Sequence, residues 1–259
     1  MDKSLIFMIA INSEGTKIPT LDYAKYSIDS WEKYTLKHGI DFQVIHESID
    51  KRLKKPIWMK EYIYQYGKKY DKIGVVDCDT IISPNAPNIF DQIDPEKFYG
   101  VNDLCDLNWL FSSIQSRQKW FPNVEMDIFK YLNAGVLFFG NRYLEIFKEL
   151  LFFYFDHKEE IDNWSQGGGI EQTLLNFHLQ KNKVDIELLD PAWNLLSIHR
   201  KNMFIGNWQL HPEFKGQVFK DQPESWPYFM KYAYIWHFTG FPIEDRIRMM
   251  QITHELIQE

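Results

Sequence analysis

Three short apolar runs in the first third of the chain, at residues 4–12, 41–46 and 72–76, alternate with stretches of helical character. Short apolar runs bounded by turn residues are buried strands, and strands alternating with helices leave few topologies open. The strands lie side by side, the helices cross over the sheet in the right-handed sense, and a ligand crevice opens at the carboxyl ends of the strands. The expected helices cover residues 21–37, stopped by Gly39, and residues 58–69, reached through a basic loop. A loop, Ser13-Glu14-Gly15-Thr16, follows the first strand.

The rest of the chain is less regular. Strands are predicted at residues 98–101, 131–140 and 184–189, and helices at 141–155, at 170–180 behind Gly167-Gly168-Gly169, and at 243–258. Residues 107–122 read as short helix and loop, and residues 190–242, rich in Trp, Pro, Asn and Gly, as loop. No repeat, low-complexity tract or linker divides the 259 residues, so a single α/β domain over residues 1–259 is expected.

Composition narrows the class of ligand. A hydrophobic share of 45% can bury a sizeable core. With 29 basic against 36 acidic residues the net charge is −7, which argues against a general binder of polyanions. Two cysteines, Cys78 and Cys105, make no disulfide framework and suit a reducing compartment. The apolar N-terminal run has no basic lead-in or small-residue cleavage pattern, and no segment reaches the roughly 18 apolar residues of a membrane helix. A cytoplasmic protein without stable membrane insertion is expected. Aromatic residues make up 17%, nine of them Trp. Most fill the core, although such rings also stack on sugars and nucleobases.

The chemistry concentrates where the third strand ends, in Asp77-Cys78-Asp79-Thr80. Two carboxylates one residue apart on an extended exit can turn toward one cation. Hard oxygen ligands suit Mg²⁺ or Mn²⁺, which keep positions open for phosphate. Such a pair can also simply cap a strand–loop junction. Far downstream, Tyr234-Ile235-Trp236-His237-Phe238-Thr239-Gly240 places a histidine after an apolar run and before a glycine. The imidazole suits Mn²⁺ and Gly240 lets backbone approach a phosphate, while a buried histidine bonded to a carbonyl fits the same pattern.

Over residues 4–240 the order and spacing of these motifs resemble the glycosyltransferases of family 8, the group containing glycogenin and the bacterial lipopolysaccharide α-galactosyltransferases. The resemblance implies a GT-A fold, a Rossmann-like mixed sheet flanked by helices with an irregular acceptor-side C-terminal part. On that reading the nucleotide-binding half ends near residue 105 and the acceptor half begins near 106. It further implies a UDP-sugar donor, Mn²⁺ (or Mg²⁺) as the metal, and transfer with retention of configuration. The family's metal ligands fall on Asp77, Asp79 and His237, with Cys78 between the two acids on the donor-binding loop. Nucleoside contacts at the end of the first strand fall on Ala10, Ile11 and Asn12. A basic residue that meets the donor sugar and phosphates, 17 positions before the first aspartate, falls on Lys60. The Asn-Ala-Gly strand falls on Asn133, Ala134 and Gly135, and the acidic-Gln pair opening a helix on Glu171 and Gln172. Asp103 stands near the place of a sugar-contacting aspartate, with a one-residue difference in spacing. The catalytic group is thus expected among Gln172, Glu171 and Asp103.

Residue types alone leave plainer readings beside these. Lys60 fits an exposed helical lysine, Asn12 a strand-end cap, Asn133 an ordinary strand start, and Glu171 with Gln172 a polar first helical turn. Two departures from the family stand out. No lysine follows His237-x-x-Gly240, where the family carries one that reaches the diphosphate; Lys60, Arg200 and Lys201 are the candidate cations to replace it. Thr173 stands where the family has an acid after the helix glutamine.

Two other functions compete. Val75-Val76-Asp77-Cys78-Asp79-Thr80 comes close to the nucleophile motif of haloacid-dehalogenase-type phosphatases, with Asp77 as nucleophile and Asp79 as acid/base. That motif normally ends a domain's first strand, and after Asp127 no adjacent Asp–Asp, or spaced acidic pair following a strand, completes the site. A non-catalytic nucleotide-sugar-binding protein is the other, but it would have no need of an open metal site. The acceptor class (glycan, lipid-linked sugar, protein or modified nucleic acid) carries no motif.

Overall fold

The computed structural model describes residues 3–12, 20–104, 106–164, 169–196 and 233–257. The first three apolar runs form β1 (Ser4–Ile9), β2 (Asp41–Ile45) and β3 (Lys72–Asp77), paired in parallel with β1 in the middle. Side chains alternate across a strand, and here both faces are covered. Leu5, Phe7 and Ile9 enter one core cluster, Ile6 and Met8 the other. Burial on both faces is why the run is continuously apolar in sequence. Between β1 and β2 lies α1 (Leu21–His38), which stops at Gly39. The φ of 67° there is the left-handed turn that glycine adopts without a Cβ clash.

Where a helix over residues 58–69 is expected, the chain makes short turns instead. A 3₁₀ stretch, Pro56–Tyr62, leads into a single α turn, α2 (Ile63–Tyr66), and a second 3₁₀ turn, Gly67–Lys69. Trp58, Met59, Lys60, Glu61, Tyr62 and Ile63 are all buried. A regular amphipathic helix buries one stripe, so six consecutive buried residues need a backbone surrounded on every side. This one runs between β1 and α4 (Leu144–Asp156). Tertiary packing has overridden local propensity.

After β3 the chain forms β4 (Thr80–Ile82) and β5 (Phe98–Asn102), then α3 (Leu107–Arg117), whose Asp106 cap accepts from the Trp109 N–H. The mixture expected at 107–122 resolves into α3 and a 3₁₀ turn at Gln118–Trp120. Next come β6 (Leu132–Gly140), α4, α5 (Lys158–Asp162), α6 (Ile170–Lys181) and β7 (Ile186–Leu188), shorter than the strand expected at 184–189. β8 (Ile235–His237) and α7 (Ile243–Leu256) close the described chain. The main sheet has the order β2-β1-β3-β6-β5-β7. β6 is antiparallel to both β3 and β5, and β7 is parallel to β5, so the sheet is mixed as expected. Every residue of β6 is buried.

β4 is absent from the sequence reading, because three residues are too few for a periodic signal. It pairs antiparallel with β8 in a small second sheet. Residues 13–16, Cys105, Gly167, Gly168, Arg200 and Lys201, and most of the loop expected at 190–242, lie outside the described residues. Cys78 is a free cysteine. Among the described residues no helix is long and apolar enough to cross a membrane.

Candidate active site

Three strand ends build one site. β3 ends in Asp77, level with Ile9 of β1. Because β6 runs against β3, with Val136 opposite Val76, its first residues Asn133, Ala134 and Gly135 lie at the same end as Asp77. β4 pairs Thr80 with His237 of β8, and the Phe238 N–H donates to the Asp79 carbonyl at 2.9 Å. Ligand atoms of Asp77, Asp79 and His237 consequently lie within 4.8 Å of one another.

The hydrogen-bond chain behind His237 fixes its tautomer. The Gly135 N–H donates to Asn133 Oδ1 at 2.9 Å, which orients that amide. Asn194 Nδ2 donates to the same oxygen at 3.1 Å, leaving Asn194 Oδ1 to face His237 Nδ1 at 3.0 Å. A carbonyl oxygen only accepts, so Nδ1 carries the proton. Nε2 then turns a buried lone pair toward Asp79 Oδ1, 3.3 Å away, with no hydrogen bond. Lone pair against carboxylate is repulsive until a cation sits between them. One imidazole nitrogen and two carboxylates fit a Mn²⁺- or Mg²⁺-like ion, with Asn194 as the outer support that aims the ring. Space is set by Gly135: a Cβ there would lie 2.2 Å from His237 Cε1 and 2.9 Å from Asp77 Oδ2.

Each acid also has a cation of the protein. Lys60 is buried, with Nζ 3.0 Å from Asp77 Oδ1, 3.6 Å from Glu171 Oε1, and donating to the Ala134 carbonyl at 3.1 Å. Burial favours the neutral amine, but Asp77 and Glu171 outweigh it and hold the ammonium. Lys60 is therefore no exposed helical lysine. For Asp79 burial would raise the carboxyl. Arg246, with Nη1 3.3 Å from Oδ2, opposes this and holds the carboxyl below its usual range. Burial pushes the Cys78 thiol up, helped by the neighbouring Asp79 and Asp77 charges.

Glu171 opens α6 deep inside the protein, where burial pushes its carboxyl up to about 7 against the pull of Lys60. Glu61 lies beside it, fully buried, and burial together with the Glu171 charge raises it well above the ordinary value. The native state therefore keeps protons that the unfolded chain releases near 4.5. Their contribution to stability is complete below that value and is lost as pH rises toward about 7. Glu61→Gln should accordingly reduce the fall in Tm between pH 5 and pH 8, measured with chelator present. An unaltered slope would show that the pair holds no such proton.

Gln172 links the remaining candidates. Its Oε1 accepts from Asn133 Nδ2 at 3.0 Å and from the Ala134 N–H at 3.1 Å, and its Nε2 donates to Asp103 Oδ2 at 3.0 Å. Asn133 Nδ2 also reaches Asp103 Oδ2 at 3.3 Å. Asn133, Gln172 and Asp103 are thus one buried polar unit, joined through Asn133 and Asn194 to His237.

A cleft of about 470 Å³, the size of a small-molecule site, opens over Lys60, Asp77 and Asp79, while His237 and the Asn133, Gln172 and Asp103 unit are not on its walls. Ile9, Ile11, Tyr23, Lys60, Asp77, Cys78, Asp79 and Arg246 line it, with Lys54 and Lys55 also on its walls. Ala10 is buried with its N–H on the Ile45 carbonyl, and Asn12 is exposed. Gly240 follows His237 in a turn with φ of 78°. Sequence reasoning missed Tyr23, Glu61, Asn194 and Arg246. Only tertiary structure brings them to the site. Asn194, from within the expected loop, is the one that orients the His237 ring.

No family model and no curated protein matches the chain. Solved structures with the same fold do. A glycosyltransferase involved in the glycosylation of the major capsid of PBCV-1 shares 15% identity at a TM-score of 0.56, over 96% of this chain and 99% of that one. The galactosyltransferase LgtC, solved with donor and acceptor sugar analogues, gives 14% and 0.56 over 98% and 95%. The bifunctional glycosyltransferase WbbM gives 12% and 0.59; all but 1% of this chain is covered, but only 51% of WbbM. The chain has the GT-A fold of these glycosyltransferases.

Proposed function

We propose that this protein is a metal-dependent glycosyltransferase that transfers a hexose from a UDP-sugar to an acceptor hydroxyl with retention of configuration. The observation that carries this reading is the His237 lone pair aimed at two strand-end carboxylates on the floor of a nucleotide-sized cleft. Asp77, Asp79 and His237 would hold Mn²⁺ or Mg²⁺. When bound, such an ion supplies Lewis acidity that neutralises charge on a departing diphosphate.

The chain's own residues do the rest. Lys60 holds Asp77 in place beside the phosphates. Asn133, Gln172 and Asp103 present fixed dipoles and one carboxylate to the sugar hydroxyls and to the positive charge that develops on the ring. The phosphatase alternative needs Asp79 to hand over a proton. The Arg246 guanidinium keeps that carboxyl ionised, which favours sugar transfer.

A thermal-shift panel of UDP, GDP, ADP and CDP, with and without Mn²⁺, tests the reading. UDP with Mn²⁺ should raise Tm most. At 100 times Kd the gain is about 2.7 kcal/mol, or roughly 5–10 °C for a chain of this size. A larger shift with GDP would overturn the uridine assignment, and no shift with any nucleotide the whole reading. The role of the polar unit has its own test. Gln172→Ala should lower turnover by about 10–100-fold, the scale of one or two lost hydrogen bonds near the transition state, with UDP affinity unchanged. Proton NMR of the first product from an α-linked donor should show an α linkage. A β product would shift the catalytic assignment to Glu171 or Asp103 acting as base.

A further inference from the structure

The cations on the cleft differ in how fully they are used. Lys60 already faces Asp77, Glu171 and the Ala134 carbonyl. Lys54 is largely exposed, 3.7 Å from Asp162. Arg246 is different. It sits in the first turn of α7, its N–H on the Pro242 carbonyl, and its side chain reaches back into the cleft over the Tyr23 ring at 5.2 Å. Nη1 is 3.3 Å from Asp79 Oδ2, Nη2 makes a long 3.4 Å bond to the Phe241 carbonyl, and Nε is buried with no acceptor. A guanidinium in the cleft thus has donors to spare, and its one ionic partner among the described residues, Asp79, is an expected metal ligand.

These two demands on Asp79 conflict. With a divalent ion held by Asp77, Asp79 and His237, the Asp79 charge would be taken up and Arg246 would face a like charge. A planar donor fork released there matches phosphate oxygens. We propose that Arg246 pairs with Asp79 while no cation is bound and moves to the donor's diphosphate when one binds, so that cation and nucleoside diphosphate bind cooperatively through this residue. The inference rests on the cleft being the nucleotide-sugar site. It gives the diphosphate a cation from α7, in a chain with no lysine directly after Gly240.

Cooperativity is reciprocal, so either ligand reports it. Calorimetric titration of Mn²⁺, with and without saturating UDP, should show UDP tightening Mn²⁺ binding in the wild type. In Arg246→Gln, Mn²⁺ alone should bind as well as or better than in the wild type, since a competitor for Asp79 is gone. The UDP-induced tightening should fall at least about tenfold, as expected for loss of a charge-assisted pair. Uridine, which lacks phosphates, should bind equally to both proteins by ligand-observed NMR, and Arg246→Lys should recover part of the coupling. A wild-type coupling factor kept in Arg246→Gln would overturn the proposal and leave the donor site standing. So would equal loss of uridine and UDP binding in both variants, which would make Arg246 a structural prop. Failure of the wild-type protein to bind UDP would instead overturn the donor site, and this proposal with it.

Discussion

Replacing Asp79 by Asn should abolish metal-dependent transfer while leaving the protein folded. The change keeps the shape of the side chain and leaves the backbone contact from Phe238 to residue 79 in place. It removes the charge that faces both His237 Nε2 and Arg246 Nη1 at 3.3 Å. An ion there would keep the imidazole and Asp77 but lose half of its anionic charge, and the leaving diphosphate would lose its counter-charge. The expected loss is about 10³-fold or more, equivalent to about 4 kcal/mol at the transition state. Two measurements check it: Mn²⁺ titration of the variant, and turnover of a UDP-sugar. Wild-type turnover by Asp79→Asn in excess EDTA would end the metal hypothesis.

Gly135→Ala should be nearly as damaging for the opposite reason, since it adds one methyl group and removes nothing. That Cβ would meet His237 Cε1 at 2.2 Å and Nε2 at 2.9 Å, far inside van der Waals contact. The ring has little room to retreat, being buried with Nδ1 tied to Asn194. Overpacking of this kind costs about 1–3 kcal/mol, roughly 2–12 °C in Tm for a chain of this size. Displacing a ligand by about 1 Å costs on the order of 10²-fold in rate. Gly100→Ala in β5 is the control, because its Cβ would meet only Leu132 and Leu137 atoms at 3.1–3.4 Å. Activity should fall at least about 100-fold in Gly135→Ala and little in Gly100→Ala. Equal activity in the two variants would show that Gly135 sets no limit on the site.

Local sequence was informative wherever an element is long or ends in a special residue. Residues 21–37 carry helical character and Gly39 a helix stop, and α1 ends there as expected. The apolar run before Asp77 can only be a strand buried on both faces, so its carboxylates had to emerge at a strand end, where crevices open. Even the distant His237 was legible, as a histidine between an apolar run and a glycine.

Other features exist only in three dimensions. The antiparallel direction of β6, which brings Gly135 to Asp77, is set by sheet topology, and nothing within residues 132–140 encodes it. β4 is too short to show a period, yet its pairing with β8 is what delivers His237 to Asp79. The stretch from Trp58 to Ile63 has a helical composition, but the packing around it buries every residue and breaks the helix. Asn194 and Arg246 look like an ordinary loop amide and an ordinary helix arginine, and they gain roles only from the neighbours that folding gives them. The sequence by itself determined which groups are able to hold a cation and where strands must end. Tertiary structure decided which way the imidazole's lone pair points and which cation answers each carboxylate, because both depend on contacts between residues far apart in the chain.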